Sequence, residues 1–441
     1  MKKRAVITGI GIISPLGFGH EEFWKNLIDG RSGISPITCI DTTNYKCKMG
    51  VEVKNLQTEQ YIGNKGIKYL TKGTKFLASA IKLALQDSGL TTLDSQLECR
   101  TGIIIGSALG NYSETTDYTY DIVRNNPSEL LPMASYDVAL NSSINFASVF
   151  FKIKGPARTI SSGFISSTDA IGNAYNLIQN GKADIIITGG VEQISLDAYV
   201  IFYMQKLLAG SDGKSGEISM PFDERRSGFI MSEGAYVFVM EELEFARSRG
   251  VRIYAEVKGY ACTNAGRKSG SFRQRLDKAG KPMTEAIEEA GLSPEKVNLI
   301  SANGNSSKVV DLIEAKAIQE VFRNCEEPPL VNSIKGMTGE PYGASGAMQM
   351  ASAVLAIRDG IAPPMYPEWG MENAECGMQE GRHFNSEFHN PQSTFQRDPE
   401  CDLNFVGWHG QTRLSVQLNT VLINSLDYLG NNACLVIQRF C

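Results

Sequence analysis

Short β-branched runs that alternate with amphipathic helical stretches predict an α/β fold, with mostly parallel sheets covered by helices. AVITGIGI, TGIIIGSA, ADIIITGG and AYVFVME read as strands, and from about residue 250 the alternation restarts with YAEVKGYA, VNLISANG, PLVNSIKG, DLNFVG and CLVIQRF. The chain also echoes itself. SSGFISSTDAIGNAYNLIQNGKAD and NSIKGMTGEPYGASGAMQMASAVLAIRDG each run from a strand through a turn into a small-residue helix that stops at Gly. A chain of 441 residues suits two such halves sharing a core, divided as 1–250 and 251–441 with a polar insert near 369–396.

Taken in order, TGIGIISPLG follows a strand and carries glycines, but Ser14 stands where a dinucleotide fingerprint needs its third glycine. It is read as a strand turning out of a sheet. GTKFLASAIKLALQDSGL places Phe76, Leu77, Ala80, Ile81 and Ala84 on one stripe, a helix stopped by Gly89. In GNYSETTDYTYD a helical spacing puts Tyr112, Thr115 and Thr119 on one face. Gly343 to Gly346 resembles a nucleophile elbow, yet Ser345 lacks the G-x-S-x-G frame, so these are small residues for helix packing. The insert has few aliphatics and many Gly, Asn, Gln and Glu, which reads as a solvated excursion or as a contact with a partner.

Composition removes several classes of function. With 43 basic and 48 acidic residues there is no field to attract nucleic acid or an anionic membrane surface. No apolar run approaches the roughly 20 residues that span a bilayer, and MKKRAVITG enters a strand directly, which predicts a cytoplasmic protein. The nine cysteines are scattered without C-x-x-C spacing, and His20, His383, His389 and His409 lie outside the chemistry-bearing segments. His383 and His389 fall near Cys376 and Cys401, but their irregular spacing does not make a metal site, so no metal and no cofactor are expected.

Four segments carry a resemblance. GPARTISSGFISSTDAIGNAYNLIQNGKADIIITGG, LISANGNSSKVVDLIEA, NSIKGMTGEPYGASGAMQ and NSLDYLGNNACLVIQRF, with RAVITGIGIISPLG and PFDERRSGFIMSEGAYVFVMEE, cover nearly the whole chain in one order and spacing. They resemble the β-ketoacyl synthase family, and within it the chain length factors, the non-catalytic ketosynthase-like subunits of bacterial type II polyketide synthases. The resemblance implies the thiolase fold, two pseudo-symmetric halves in five αβαβα layers. It sets Phe164 in the nucleophilic cysteine's slot, Asn303 and Glu340 in the two histidine slots, Gln349 in that of a glutamate, and Lys335 at the family lysine. Asp311 and Glu314 match its acidic pair, and Gly336 to Thr338 its turn. A Phe ring has no lone pair to attack a thioester and an amide cannot serve as a proton carrier near neutral pH, so these positions imply a chain that is by itself no enzyme. An anionic Glu340 would also repel a malonyl carboxylate. One departure stands: chain length factors usually carry Gln where this chain has Phe164, which removes a decarboxylating role.

The resemblance further implies a heterodimer with an active ketosynthase, joined along the strand Ala157, Arg158, Thr159, Ile160, Ser161 and Ser162. The acyl tunnel would then run along the shared interface, with Tyr112, Thr115 and Thr119 setting chain length; an ordinary helix face is the other reading of those three. The C-terminal gating loop maps to Asp427, Tyr428, Leu429 and Gly430, with fewer glycines than the family pattern and hence stiffer. Lys65 and Lys68 match basic positions used for an acidic acyl carrier protein, and Lys72 and Lys75 extend the stripe; a solvated lysine face is the alternative. The expected role is a silent chain length factor handling a polyketide intermediate, aromatic or polyene. Two rivals remain open: an acyltransferase or hydrolase of this fold using Glu340 or Ser161 and Ser162, and a non-catalytic acyl-binding module.

Overall fold

The computed structural model describes residues 2–90, 95–124, 139–266, 276–367, 395–406 and 414–440. The insert near 369–396, with Cys376, His383 and His389, lies outside the described residues except for its last two positions, as does His409.

An 11-stranded sheet organises the molecule. Its principal strands in chain order are β1 (Ala5–Ser14), β2 (Thr101–Gly106), β3 (Ala157–Ile160), β4 (Ile185–Glu192), β5 (Gly234–Glu242), β6 (Ala255–Asn264), β7 (Leu299–Ser301), β8 (Leu330–Asn332), β9 (Thr420–Leu426) and β10 (Asn431–Gln438). Across the sheet they run β3-β2-β4-β5-β1-β6-β10-β9-β7-β8. The first five strands are thus ordered from one edge to the middle as the second five are ordered from the other edge. β1 joins the two sets through the pairs Ala5 with Val257, Val6 with Glu256 and Ile7 with Ala255.

Pairing is more antiparallel than the alternation predicts. β2 is parallel to β3 and β4, and β7 to β8 and β9, but β1–β5, β4–β5, β9–β10, β6–β10 and β1–β6 are antiparallel. The physical reason is local at β9 and β10, where the turn Asp427–Gly430 is too short for a helical crossover and returns the chain as a hairpin. DLNFVG forms no strand either; Phe405 makes only an isolated bridge to Val331.

The helices that position the site are α1 (Lys72–Asp87), α2 (Tyr112–Arg124), α3 (Ser142–Phe150), α4 (Ser166–Gln179), α5 (Leu196–Met204), α6 (Lys308–Val321) and α7 (Ser345–Asp359). α1 follows its sequence stripe: Phe76, Leu77, Ala80, Ile81 and Ala84 are buried, and the Thr71 hydroxyl caps the first turn by accepting the Thr74 N–H at 3.1 Å. TGIGIISPLG is strand through Ser14. α4 and α7 share one apolar core with strands of both sets, including Ile171, Ala174, Met348, Ala351, Ile186 and Ile423. They approach closely because Gly346 faces Thr168; a Cβ there would lie 1.8 Å from the Thr168 Oγ1. α7 is buried from Ser345 to Ile357, which leaves no room for an amphipathic pattern and explains why its sequence reads as small and apolar all round.

Candidate functional site

The site lies where α4 begins and where the turns after β7, β8 and β9 meet it. Gly163 opens this turn with φ +71, a conformation that favours glycine, and a Cβ on it would sit 1.8 Å from the Asp427 Oδ2. Phe164 follows, and its backbone N–H donates to that same carboxylate oxygen at 3.0 Å. The ring is 3% exposed and is walled by other rings: Phe202 at 5.6 Å, Phe229 at 5.7 Å, Tyr342 at 6.2 Å and Tyr428 at 5.4 Å between centroids. Three of these contacts are edge-on, the arrangement ring quadrupoles favour. Tyr342 holds φ 26, an uncommon backbone for a bulky residue, and its hydroxyl is tied to the Gln193 carbonyl. Asp427 thus serves the Phe164 turn and its own loop, since it also accepts from the Leu429 N–H.

Asn303, Lys335 and Glu340 come together beside this cluster. The Lys335 Nζ donates to the Asn303 Oδ1 at 3.1 Å and to the Glu340 Oε2 at 2.8 Å, with all three side chains buried. Asn303 Oδ1 also accepts the Leu426 N–H at 3.3 Å, so consecutive residues Leu426 and Asp427 bind the Asn303 and Phe164 segments to one another. The Lys335 ammonium therefore sits against the Glu340 carboxylate as a buried ion pair. Asn303 Nδ2 and Glu340 Oε1 are buried without a hydrogen-bond partner among the described residues.

The acidic pair on α6 holds the Asn303 loop from beneath. Glu314 accepts the N–H groups of Asn303 and Gly304 at 2.7 Å each and the Asn424 amide at 2.6 Å. Asp311 accepts the N–H groups of Asn305 at 2.9 Å and Phe222 at 3.0 Å, with the Arg226 guanidinium 3.4 Å away. Burial pushes the Glu314 carboxyl up to about 7 and the Asp311 carboxyl to about 6, against the opposing pull of their backbone donors. Gln349 donates to the carbonyls of Ser301, Ala302 and Asn424, tying β7 to β9.

The remaining expected residues belong to β3, α2 and the segment before α1. β3 is an edge strand that pairs only with β2 among the described residues, and Ala157, Arg158 and Ser161 on it or just after it are exposed. Ser161 donates to the Ala108 carbonyl at 3.1 Å and Ser162 to the Asp169 Oδ2 at 2.6 Å. Tyr112 is 46% exposed, Thr119 is exposed and Thr115 half-buried, and the Thr115 and Thr119 hydroxyls bond back to carbonyls of the preceding turn. Lys65 and Lys68 are exposed, but the stripe ends there, because Lys72 turns inward to the buried Glu233 at 2.7 Å. Among the described residues no group of three or more His, Cys, Asp and Glu is placed to hold a metal ion, and no helix is long and apolar enough to cross a membrane. Sequence reading missed Phe202, Phe229 and Tyr342 as neighbours of Phe164; the aromatic run AYVIFYM and the aromatics beside Gly228 and Gly343 were the available signal.

Known proteins resemble the chain along its length. The model of the β-ketoacyl synthase N-terminal domain matches residues 2–246 and that of the C-terminal domain residues 254–367. The chain belongs to the β-ketoacyl synthase family. A 3-oxoacyl-(acyl-carrier-protein) synthase 2 of a Synechocystis species is 30% identical over 440 residues, covering 100% of this chain and 99% of the relative. The protein of that name in Staphylococcus aureus is 31% identical over 441 residues, with 99% of each covered. Among solved structures, the ishigamide ketosynthase/chain length factor superposes with TM-score 0.84 at 25% identity over 100% of both chains. A β-ketoacyl synthase from Burkholderia phymatum does so with TM-score 0.85 at 22% identity, again over 100% of both, which shows the fold. The fold is the thiolase fold that the resemblance implied. The comparisons also correct one expectation, that the chain is by itself no enzyme: the curated relatives that span it end to end are named as synthases.

Proposed function

We propose that this chain acts in building acyl chains carried on an acyl carrier protein, as the chain-length-setting subunit that pairs with a ketosynthase of its own family to make an aromatic or polyene polyketide. The observation that carries the reading is the aromatic filling of the turn that opens α4, where Phe164 packs among Phe202, Phe229, Tyr342 and Tyr428. A wall of rings there controls space, and space is what decides how long a chain can grow. The likeness to the ishigamide ketosynthase/chain length factor over the full chain supports it.

The edge of the sheet supports the pairing. Edge strand β3 pairs on one side only among the described residues, and α2 and α3 expose Tyr120, Ile122, Val123, Val149 and Phe150. In this reading Ala157 to Ser162 pair with the partner, Tyr112, Thr115 and Thr119 face the shared tunnel, and the loop Asp427 to Gly430 closes over Phe164. Lys65 and Lys68 would meet an acidic carrier protein in a weak, salt-sensitive encounter.

The test reconstitutes the chain with the ketosynthase encoded beside it and a carrier protein. Tyr112→Ala should lengthen the products and Thr115→Trp should shorten them, with the first condensations unaffected; unchanged lengths at comparable yield would refute the assignment of α2. A second reading, that the chain itself performs the condensation for which its relatives are named, is favoured by their identity along its whole length. Turnover by the isolated chain, without any ketosynthase, decides for it.

A further inference from the structure

A small cavity lies between α1, α3, the entry to α2 and strands β2 to β4. Leu77, Asn111, Ser143, Thr159, Val191 and Glu192 are among its lining, and its volume is about 20 Å³. That is room for about one oxygen-sized group. Its wall is polar in a particular way, because the Thr159 Oγ1 and the Glu192 Oε2 are both buried with no hydrogen-bond partner among the described residues. We propose that this cavity is a subsite for one neutral carbonyl oxygen of an acyl chain, held by hydrogen bonds from Thr159 and Glu192. The inference rests on the reading above that acyl chains reach this side of the molecule.

The donor count supports a ketone over a methylene. The Glu192 Oε1 is committed as an acceptor, to the N–H of Ala108, to the Leu109 N–H at 3.3 Å and to the Ser107 hydroxyl at 3.2 Å. A proton on this carboxyl therefore resides on Oε2, which has no hydrogen-bond partner among the described residues. Burial pushes the Glu192 carboxyl up to about 8, so the acid form prevails at neutral pH and Oε2 donates. Two O–H donors meet the two lone pairs of one carbonyl oxygen. An alkyl chain leaves both donors unmet, which lowers affinity about tenfold or more.

The test titrates the full chain calorimetrically with octanoyl pantetheine and with oxo-octanoyl pantetheines that carry one ketone in the distal half. At least one ketone form should bind about tenfold tighter than the alkyl form. Thr159→Val should remove that preference and leave the octanoyl affinity in place, whereas Glu192→Gln, whose neutral amide still donates, should keep it. The comparison on the unaltered protein decides the matter even if a variant does not fold. Equal binding of ketone and alkyl forms means that the cavity holds only a water, and overturns the subsite. Binding of neither form, by the chain alone or by its complex with the ketosynthase, overturns the acyl-chain reading along with it.

Discussion

Replacing Phe164 by alanine removes the centre of the aromatic cluster. The ring is 3% exposed, so nearly all of its transfer free energy, about 2 kcal/mol, is lost. The surrounding rings belong to four separate segments, at positions 202, 229, 342 and 428, and Tyr342 is tethered through its hydroxyl, so the hole cannot collapse fully. If roughly 100 Å³ remains open, the cavity adds about 2 kcal/mol at ~24 cal/mol per Å³. The sum is a destabilisation of about 4 kcal/mol. Phe164→Leu, which refills most of the space, should cost about 1–2 kcal/mol. Urea unfolding measures both, as a lower midpoint with an unchanged slope. The apolar hole should also bind benzene, seen as a midpoint that rises again with added ligand. A loss below about 1 kcal/mol for Phe164→Ala, with no benzene effect, would show that the ring is not packed as described and would remove the observation on which the proposed function rests.

Two further outcomes follow from the buried charges. Lys335→Met leaves Glu340 without its ammonium in a site that is 0% exposed and should cost about 3–5 kcal/mol, whereas the double variant Lys335→Met with Glu340→Leu should recover most of it. A double-mutant cycle in urea measures the pair, and additive losses would contradict the ion pair. Glu192, Glu314 and Asp311 have carboxyls raised by burial to about 8, 7 and 6, so the folded chain holds protons that the unfolded chain releases above its ordinary carboxylate range. Their contribution is complete below that range and is lost as pH rises through 6 to 8, so thermal stability should fall from pH 5 to pH 8. Glu314→Gln should flatten part of that slope; a rise in stability over the same interval would refute the assignment.

Much of this protein was legible in the chain itself. Strand patterning, the α1 stripe and the repeated strand-turn-helix units fixed an α/β architecture, because the periodicity of burial is written directly in residue order. The segments holding Phe164, Asn303, Lys335 and Glu340 were recognisable by their frames of small residues and turns, which are local. Tertiary structure decided what those residues touch. The Lys335 ammonium between Asn303 and Glu340, the Asp427 carboxylate under the Phe164 N–H, and the rings from positions 202, 229 and 342 come from segments far apart in sequence. The inward turn of Lys72 to Glu233 and the antiparallel return of β10 on β9 were equally invisible. Residue order determines which surfaces each element must bury, whereas the partner it buries them against, and so the charge and space beside each side chain, is settled only when the two sets of strands close over α4 and α7.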